Sequence, residues 1–252
     1  MNYELLTRTS KMENGFTLLE LIIVMSILIV MIGGAMYVIF SGQEAFDEGS
    51  ITSFLESQAA RLIDAVKDDI AECLVITGTS VPTTSNNYAS LTIKVPVLVS
   101  GAYWNTATGA VNWGAYDSSG NPQPNWYIKY SFSYTKTLSE AADGLDYNKD
   151  GDLTDSFDIG EMVKDVYNTT DVLQYSVKLC NDIMTVATNR YLDVDGNGDN
   201  DPIFVYCDKD GESVTSNGIG VILNFWLGGK LGAKRNPILV NTSTAIMLIN
   251  PQ

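Results

Sequence analysis

"NGFTLLELIIVMSILIVMIGGAMYVIF" occupies residues 14–40, and its reading decides how the rest of the chain is divided. From Phe16 onward it is apolar and long enough to cross a hydrocarbon core of roughly 30 Å as a helix. It is too long for the apolar core of a cleaved secretory signal, which runs to about 7–15 residues before a small-residue cleavage site. One carboxylate, Glu20, interrupts it near its start. A charge at depth in a membrane helix costs roughly 2.5–3.5 kcal/mol, so Glu20 calls for a partner. Ahead of it, residues 1–15 are polar, with Arg8 and Lys11 beside Glu4 and Glu13.

A cut between Gly15 and Phe16 would supply that partner. It would place a new α-amino group, with an ordinary pKa of about 8, four residues before Glu20. In an apolar surrounding, the amine of one subunit and the carboxylate of a neighbour would offset much of each other's burial cost. The order of residues in "KMENGFTLLELIIVMSIL" resembles the class III signal of type IV pilins and type II secretion pseudopilins. The resemblance implies that prepilin peptidase cuts after Gly15, that Phe16 becomes the N-methylated mature N-terminus, and that Glu20 is the assembly glutamate. It also implies partners: other pilin or pseudopilin subunits, the peptidase, and the inner membrane before assembly. Afterwards the subunit would lie in a periplasmic or extracellular filament. The chain departs from many such proteins in having no proline near Tyr37.

After Ser41-Gly42, apolar residues recur at three- and four-residue spacing: Ile51, Phe54, Leu55, Ala59, Leu62, Ile63, Val66, Ile70 and Leu74. That is the stripe of an amphipathic helix. No proline intervenes between Phe16 and Val81, so one helix to about Cys73 is expected, very roughly 85–90 Å long. The expected organisation is a leader at 1–15, a transmembrane or filament-core helix at 16–40, an amphipathic half at 41–76, and an exported β-rich domain at 77–252. Strand patterns fall at 91–99, 126–135, 172–179, 184–189, 203–207, 219–226 and 244–249. The stretch 101–124 reads as a long loop with a short hairpin near 111–116. The fold class is α+β: a long N-terminal helix packed on an antiparallel sheet.

The C-terminal "GIGVILNFWLGG…NTSTAIMLINPQ" is similar to the ends of larger minor pseudopilins and W-type minor pilins, with Ile249 where arginine is common. A mature length of about 237 residues also favours a minor subunit, placed at or near a filament tip.

Composition narrows the chemistry. The chain carries 30 acidic and 15 basic residues, a net charge of −15, which repels nucleic acid phosphates. It contains no histidine, which removes His-dependent catalysis and most zinc or haem sites. No catalytic motif is evident, and an enzyme is not expected. Acidic residues instead gather in two loops. "DYNKDGDLTDSFD" has Asp146, Asn148, Asp150, Gly151 and Asp152, the oxygen-donor spacing and turn glycine of a calcium loop. Its twelfth position is Phe157, so a closing ligand would come from Asp155, Asp158 or Glu161. "DVDGNGDNDPIF" repeats the pattern with Asp193, Asp195, Asn197, Gly198, Asp199 and Asp201. The first resembles the calcium loops of dockerins and secreted pseudopilins, and Ca²⁺ is the expected cofactor at one or both. Solvated Asx-Gly turns form the same sequences without metal.

Three cysteines remain. Cys180 and Cys207 flank the second loop, and a disulfide between them would contribute about 3–4 kcal/mol by loop closure. Cys73, at the helix end, reads as a buried small apolar residue, although it could also be a pairing partner. Trp104, Trp113 and Trp126 offer a sugar-binding face or ordinary packing. Asn168 and Asn241 stand in glycosylation sequons. A second functional reading follows: a Ca²⁺-dependent surface adhesin that uses the helix only as an anchor.

Overall fold

The computed structural model describes residues 17–73, 76–80, 90–147, 151–186, 203–208, 210, 220–229 and 238–247. The chain divides into two compact units, one up to Asp47 and one from Glu48 onward. The first helix, α1, runs from Leu18 to Glu72. Among the described residues eleven strands follow: β1 (Ile76–Ser80), β2 (Ser90–Ile93), β3 (Val95–Pro96), β4 (Trp113–Tyr116), β5 (Pro122–Pro124), β6 (Tyr127–Ser139), β7 (Ser156–Tyr167), β8 (Leu173–Val186), β9 (Phe204–Cys207), β10 (Gly220–Gly229) and β11 (Ile238–Met247). A single-turn helix, α2 (Glu140–Asp143), stands between β6 and β7.

The first unit is described through α1 alone. Between Leu18 and Phe40 this helix is apolar on every side, and its large side chains are all exposed. By length and composition it can cross a membrane. A helix apolar all round is stable only where something apolar surrounds it.

In the second unit the same helix becomes one-sided. Leu55, Gln58, Ala59, Leu62, Val66 and Ile70 are its buried residues, spaced three or four apart so that they share a face. They join a core with Leu91, Ile93, Ile128, Tyr130, Phe132, Val221, Leu223, Phe225 and Leu227. Each fully buried aliphatic or phenyl side chain contributes about 1.5–3 kcal/mol relative to exposure. Two positions correct the expected stripe. Phe54 points to solvent, and Gln58 takes a place on the buried face.

Gln58 is buried for a reason. Opposite Glu161 of β7, strand β8 carries two residues, Asn181 and Asp182, where the register slips between Gly160↔Ile183 and Met162↔Cys180. Such a bulge takes a residue out of the ladder. The Asn181 N–H donates to Gln58 Oε1 at 3.2 Å instead, and Asp182 adopts a left-handed φ of 59°.

The main sheet is antiparallel throughout, in the order β1-β2-β6-β7-β8-β10-β11, with β9 also on β10. Strand β10 pairs with β11 over its whole length. Its other edge is shared: β9 takes Gly220 to Leu223 and β8 takes Trp226 and Leu227. β1 approaches β9, so the sheet curls. A second, three-stranded sheet joins β3, β4 and β5. Tyr175 on β8 donates its hydroxyl to the Tyr116 carbonyl at 3.0 Å and ties the two sheets together.

The sheet buries both faces. The row Gly160–Ile183–Leu227 lies toward α1, while the adjoining row Ile159–Met184–Trp226 faces the other way. There Leu145, Tyr147, Phe157, Ile159 and Met184 form a separate cluster with Leu138 and Trp226 beside it. Leu145 and Tyr147 cover this outer face, and Tyr147 is wholly buried. The expected strands appear with changes: 91–99 divides into β2 and β3, the separate strands expected at 172–179 and 184–189 run together as β8, and β1, β5 and β7 are additions, while 187–189 and 248–249 lie outside the described residues. Strand β7 falls where the sequence suggests the end of a calcium loop.

Candidate functional site

The first site is the start of α1. Thr17 and Glu20 form a capping box. Thr17 Oγ1 accepts the Glu20 N–H at 3.2 Å, and Glu20 Oε2 accepts the Thr17 N–H at 3.1 Å. The Thr17 hydroxyl also donates to the same carboxylate oxygen at 3.1 Å. A carboxylate in the first helical turn gains about 0.3–1 kcal/mol from the helix dipole. Glu20 is exposed and is the only charged residue between Leu18 and Gln43. Gly15 and Phe16 lie outside the described residues.

The second site is built on the loop that follows β6. Glu140, fully buried, ties both ends of that loop. Its Oε1 accepts the Tyr147 N–H at 2.5 Å, and its Oε2 accepts the Asp155 N–H at 3.3 Å. The Glu140 N–H donates to the Asp155 carbonyl at 3.0 Å. Tyr147 donates its hydroxyl to Asp143 Oδ2 at 2.6 Å, and burial together with Asp143 pushes that phenol well above its ordinary range. The turn itself is arranged by carboxylates. Asp146 Oδ2 accepts the Gly151 N–H at 3.1 Å. Asp152 Oδ1 accepts both the N–H and the hydroxyl of Thr154, at 2.8 and 2.9 Å, which holds the Asp152 carboxyl below the usual range.

This geometry gathers Glu140, Asp152 and Asp155, one carboxylate oxygen from each lying within 4.8 Å of the others. Carboxylate oxygens are the ligand type of a hard cation, and three of them would make up part of such a ligand set. Of the expected ligands, the structure brings together Asp152 and Asp155. Asn148 and Asp150 lie outside the described residues, as do Asp193, Asp195, Asn197, Asp199 and Asp201 of the second loop. Two candidate closing ligands are corrected. Asp158 is a buried residue of β7 whose Oδ1 accepts the Thr137 hydroxyl at 2.5 Å. Glu161 lies further along β7 and pairs with Lys178. Glu140 was not among the expected candidates, because it precedes the Asp-rich motif and sits on a different element.

The expected Cys180–Cys207 bridge is also corrected. All three cysteines are free and buried. Cys207 stands opposite Gly220, while Ile183 on β8 stands opposite Leu227. Those positions are seven residues apart on β10, about 23 Å at strand rise, and Cys180 lies further in the same direction. A disulfide needs Cα atoms within about 7 Å. The Cys180 thiol donates instead to Gln58 Oε1 at 3.5 Å. Burial raises the Cys73 and Cys180 thiols to about 12 and also raises Cys207.

The tryptophans do not share one exposed face. Trp126 packs against the core, Trp113 is half-buried in β4, and Trp104 is exposed.

Residues 10–36 match the family model described as the prokaryotic N-terminal methylation motif. No curated protein and no solved structure matches the chain. The match supports a class III signal of the pilin type at the N-terminus and, with it, assembly and processing of the general kind such signals serve.

Proposed function

We propose that the protein is a minor pilin or pseudopilin: a structural, non-enzymatic subunit that assembles through its N-terminal helix into a type IV pilus or type II secretion pseudopilus, at or near the tip. The observation that carries this reading is the apolar, fully exposed stretch from Leu18 to Phe40 holding a single carboxylate in its first turn, within a segment that matches the methylation motif. An apolar helix without a protein partner needs lipid or like helices around it. In the prepilin the helix lies in the inner membrane. Prepilin peptidase removes residues 1–15, and Phe16 is N-methylated. The helix then enters a bundle in which Glu20 pairs with the Phe16 amine of a neighbouring subunit and sets axial register.

Ca²⁺ belongs to this reading as a stabiliser of the exported domain. Glu140, Asp152 and Asp155 would hold it with backbone or water oxygens, and a second ion would bind at 193–201. The chemistry it supplies is charge neutralisation among clustered carboxylates.

The test is Glu20→Ala together with Gly15→Leu in cells that assemble the filament. Gly15→Leu is expected to leave unprocessed prepilin. Glu20→Ala is expected to be processed normally but to be lost from sheared filaments. Normal incorporation of Glu20→Ala overturns the assembly role of this carboxylate.

A further inference from the structure

The chain is strongly acidic, yet between Val95 and Trp126 its only charged residue is Asp117. That carboxylate is committed to its own turn. Oδ1 accepts the Ser119 and Asn121 N–H groups at 2.9 and 2.8 Å, and Oδ2 accepts the Asn121 and Gln123 side-chain amides at 3.0 and 3.1 Å. Between β3 and β4 the rest of this neutral stretch folds as a ribbon.

The ribbon is closely held. Val97 is completely buried, and its N–H donates to the Asn112 carbonyl at 2.8 Å. Val99 and Ala102 form a bridge over Ser100 and Gly101, whose φ values of 52° and 81° suit the tightest hairpin turn. A second bridge joins Trp104 to Val111. The loop between them is closed by the Asn105 N–H on the Ala110 carbonyl and the Gly109 N–H on the Asn105 carbonyl, both 2.7 Å. Asn105 turns its Oδ1 inward onto the Ala107 N–H at 2.9 Å, which leaves its amide NH₂ outward.

This fixed backbone holds Trp104 at 59 %, Tyr103 at 49 %, Leu98 at 40 % and Val111 at 38 % exposure. Trp104 and Val111 share one face of the ribbon, and Tyr103 alternates to the other. Rigid aromatics already placed lose little entropy on binding. Around them stand Asn105, Thr106 and Thr108, which offer amide and hydroxyl groups but no charge. An aromatic ring presents an electron-rich face to C–H groups, and the neighbouring amides and hydroxyls match a ligand rich in hydroxyls. A charged ligand would find no counter-charge here, and a polyanion would be repelled by the net charge of −15. A protein partner favours arginine anchors and a continuous apolar centre, and no arginine occurs between Val95 and Trp126.

We propose that the 97–112 ribbon binds a neutral polysaccharide, with Trp104 as the stacking platform and Val111 beside it on the same face. The experiment is native affinity electrophoresis of the full chain in detergent micelles, through gels containing a neutral glucan, a neutral mannan or alginate. Retardation by at least one neutral polymer and none by alginate is expected. Trp104→Ala should weaken that binding at least tenfold with an unchanged melting temperature. Tyr134→Ala, exposed but outside the ribbon, should bind as the parent does. No retardation by either neutral polymer overturns the proposal. So does retardation that survives Trp104→Ala, or a Trp104-dependent cross-link to a co-purifying protein without glycan binding.

Discussion

Asp69 of α1 accepts a hydrogen bond from the hydroxyl of Tyr130 on β6. The same oxygen pairs with Lys164 of β7, which lies directly across the ladder from Tyr130. One carboxylate thus fastens the last turns of the helix to two adjacent strands. The group is about four-fifths buried, with side-chain exposures of 22 % for Lys164 and 20 % for Asp69.

Removing it should be costly. Asp69→Ala leaves a largely buried ammonium and a buried phenol without their shared acceptor, and a loss of about 1–3 kcal/mol is expected. Urea denaturation measures it, and a loss below about 0.5 kcal/mol would show that this contact is only geometric.

Alkaline pH should destabilise the fold. Burial first, and then Asp69, holds the Tyr130 phenol well above its ordinary 10.0, and burial with Asp171 lifts Tyr127 to about 12. A raised folded-state value means that the folded state retains the proton more tightly. The associated stability is fully present below pH 10 and is lost as pH rises toward and past 12. Melting curves recorded between pH 8 and pH 11.5 should be flat up to about pH 9 and then fall. The buried thiols, with an ordinary value of 9.0, act in the same direction.

Those thiols provide a separate test. Folded protein at pH 8 should react slowly with a thiol reagent, because Cys73 and Cys180 are buried and held protonated up to about 12. Denatured without reductant, it should titrate all three thiols. A titre of one would restore a disulfide.

Calcium should raise the melting temperature relative to EGTA. Asp152→Asn with Asp155→Asn should reduce that difference, while Glu140→Gln should lower stability in both conditions because it also weakens the loop tie. An identical melting curve with and without Ca²⁺ would remove the cation from the reading.

Gly160→Ala should be among the most damaging single substitutions. A Cβ there would lie 2.3 Å from the Ser133 carbonyl and 2.5 Å from the Phe132 ring. The carbonyl cannot yield without moving the β6–β7 ladder, so a loss of about 3 kcal/mol is expected by denaturation.

Periodicity made the helix and most strands legible. Leu55, Ala59, Leu62, Val66 and Ile70 carry the 3.6-residue signal directly. Strand β7 was hidden because Asp158, Glu161, Lys164 and Asp165 break the apolar alternation, and the partners of the first three, Thr137, Lys178 and Asp69, are 17 residues or more distant. Gln58 looked like a surface residue because the bulge that needs it belongs to another element. For the same reason the acidic motif showed Asp152 and Asp155 but not Glu140. The motif at the N-terminus could be read because its residues are contiguous.

Glu140 closes its loop with protein hydrogen bonds alone, at Tyr147 and Asp155. An incoming cation would therefore meet Glu140 and Asp155 already held by the protein. Its removal should cost charge balance rather than order, so chelation should leave the Tyr147 anchor seated and the sheet's outer face covered.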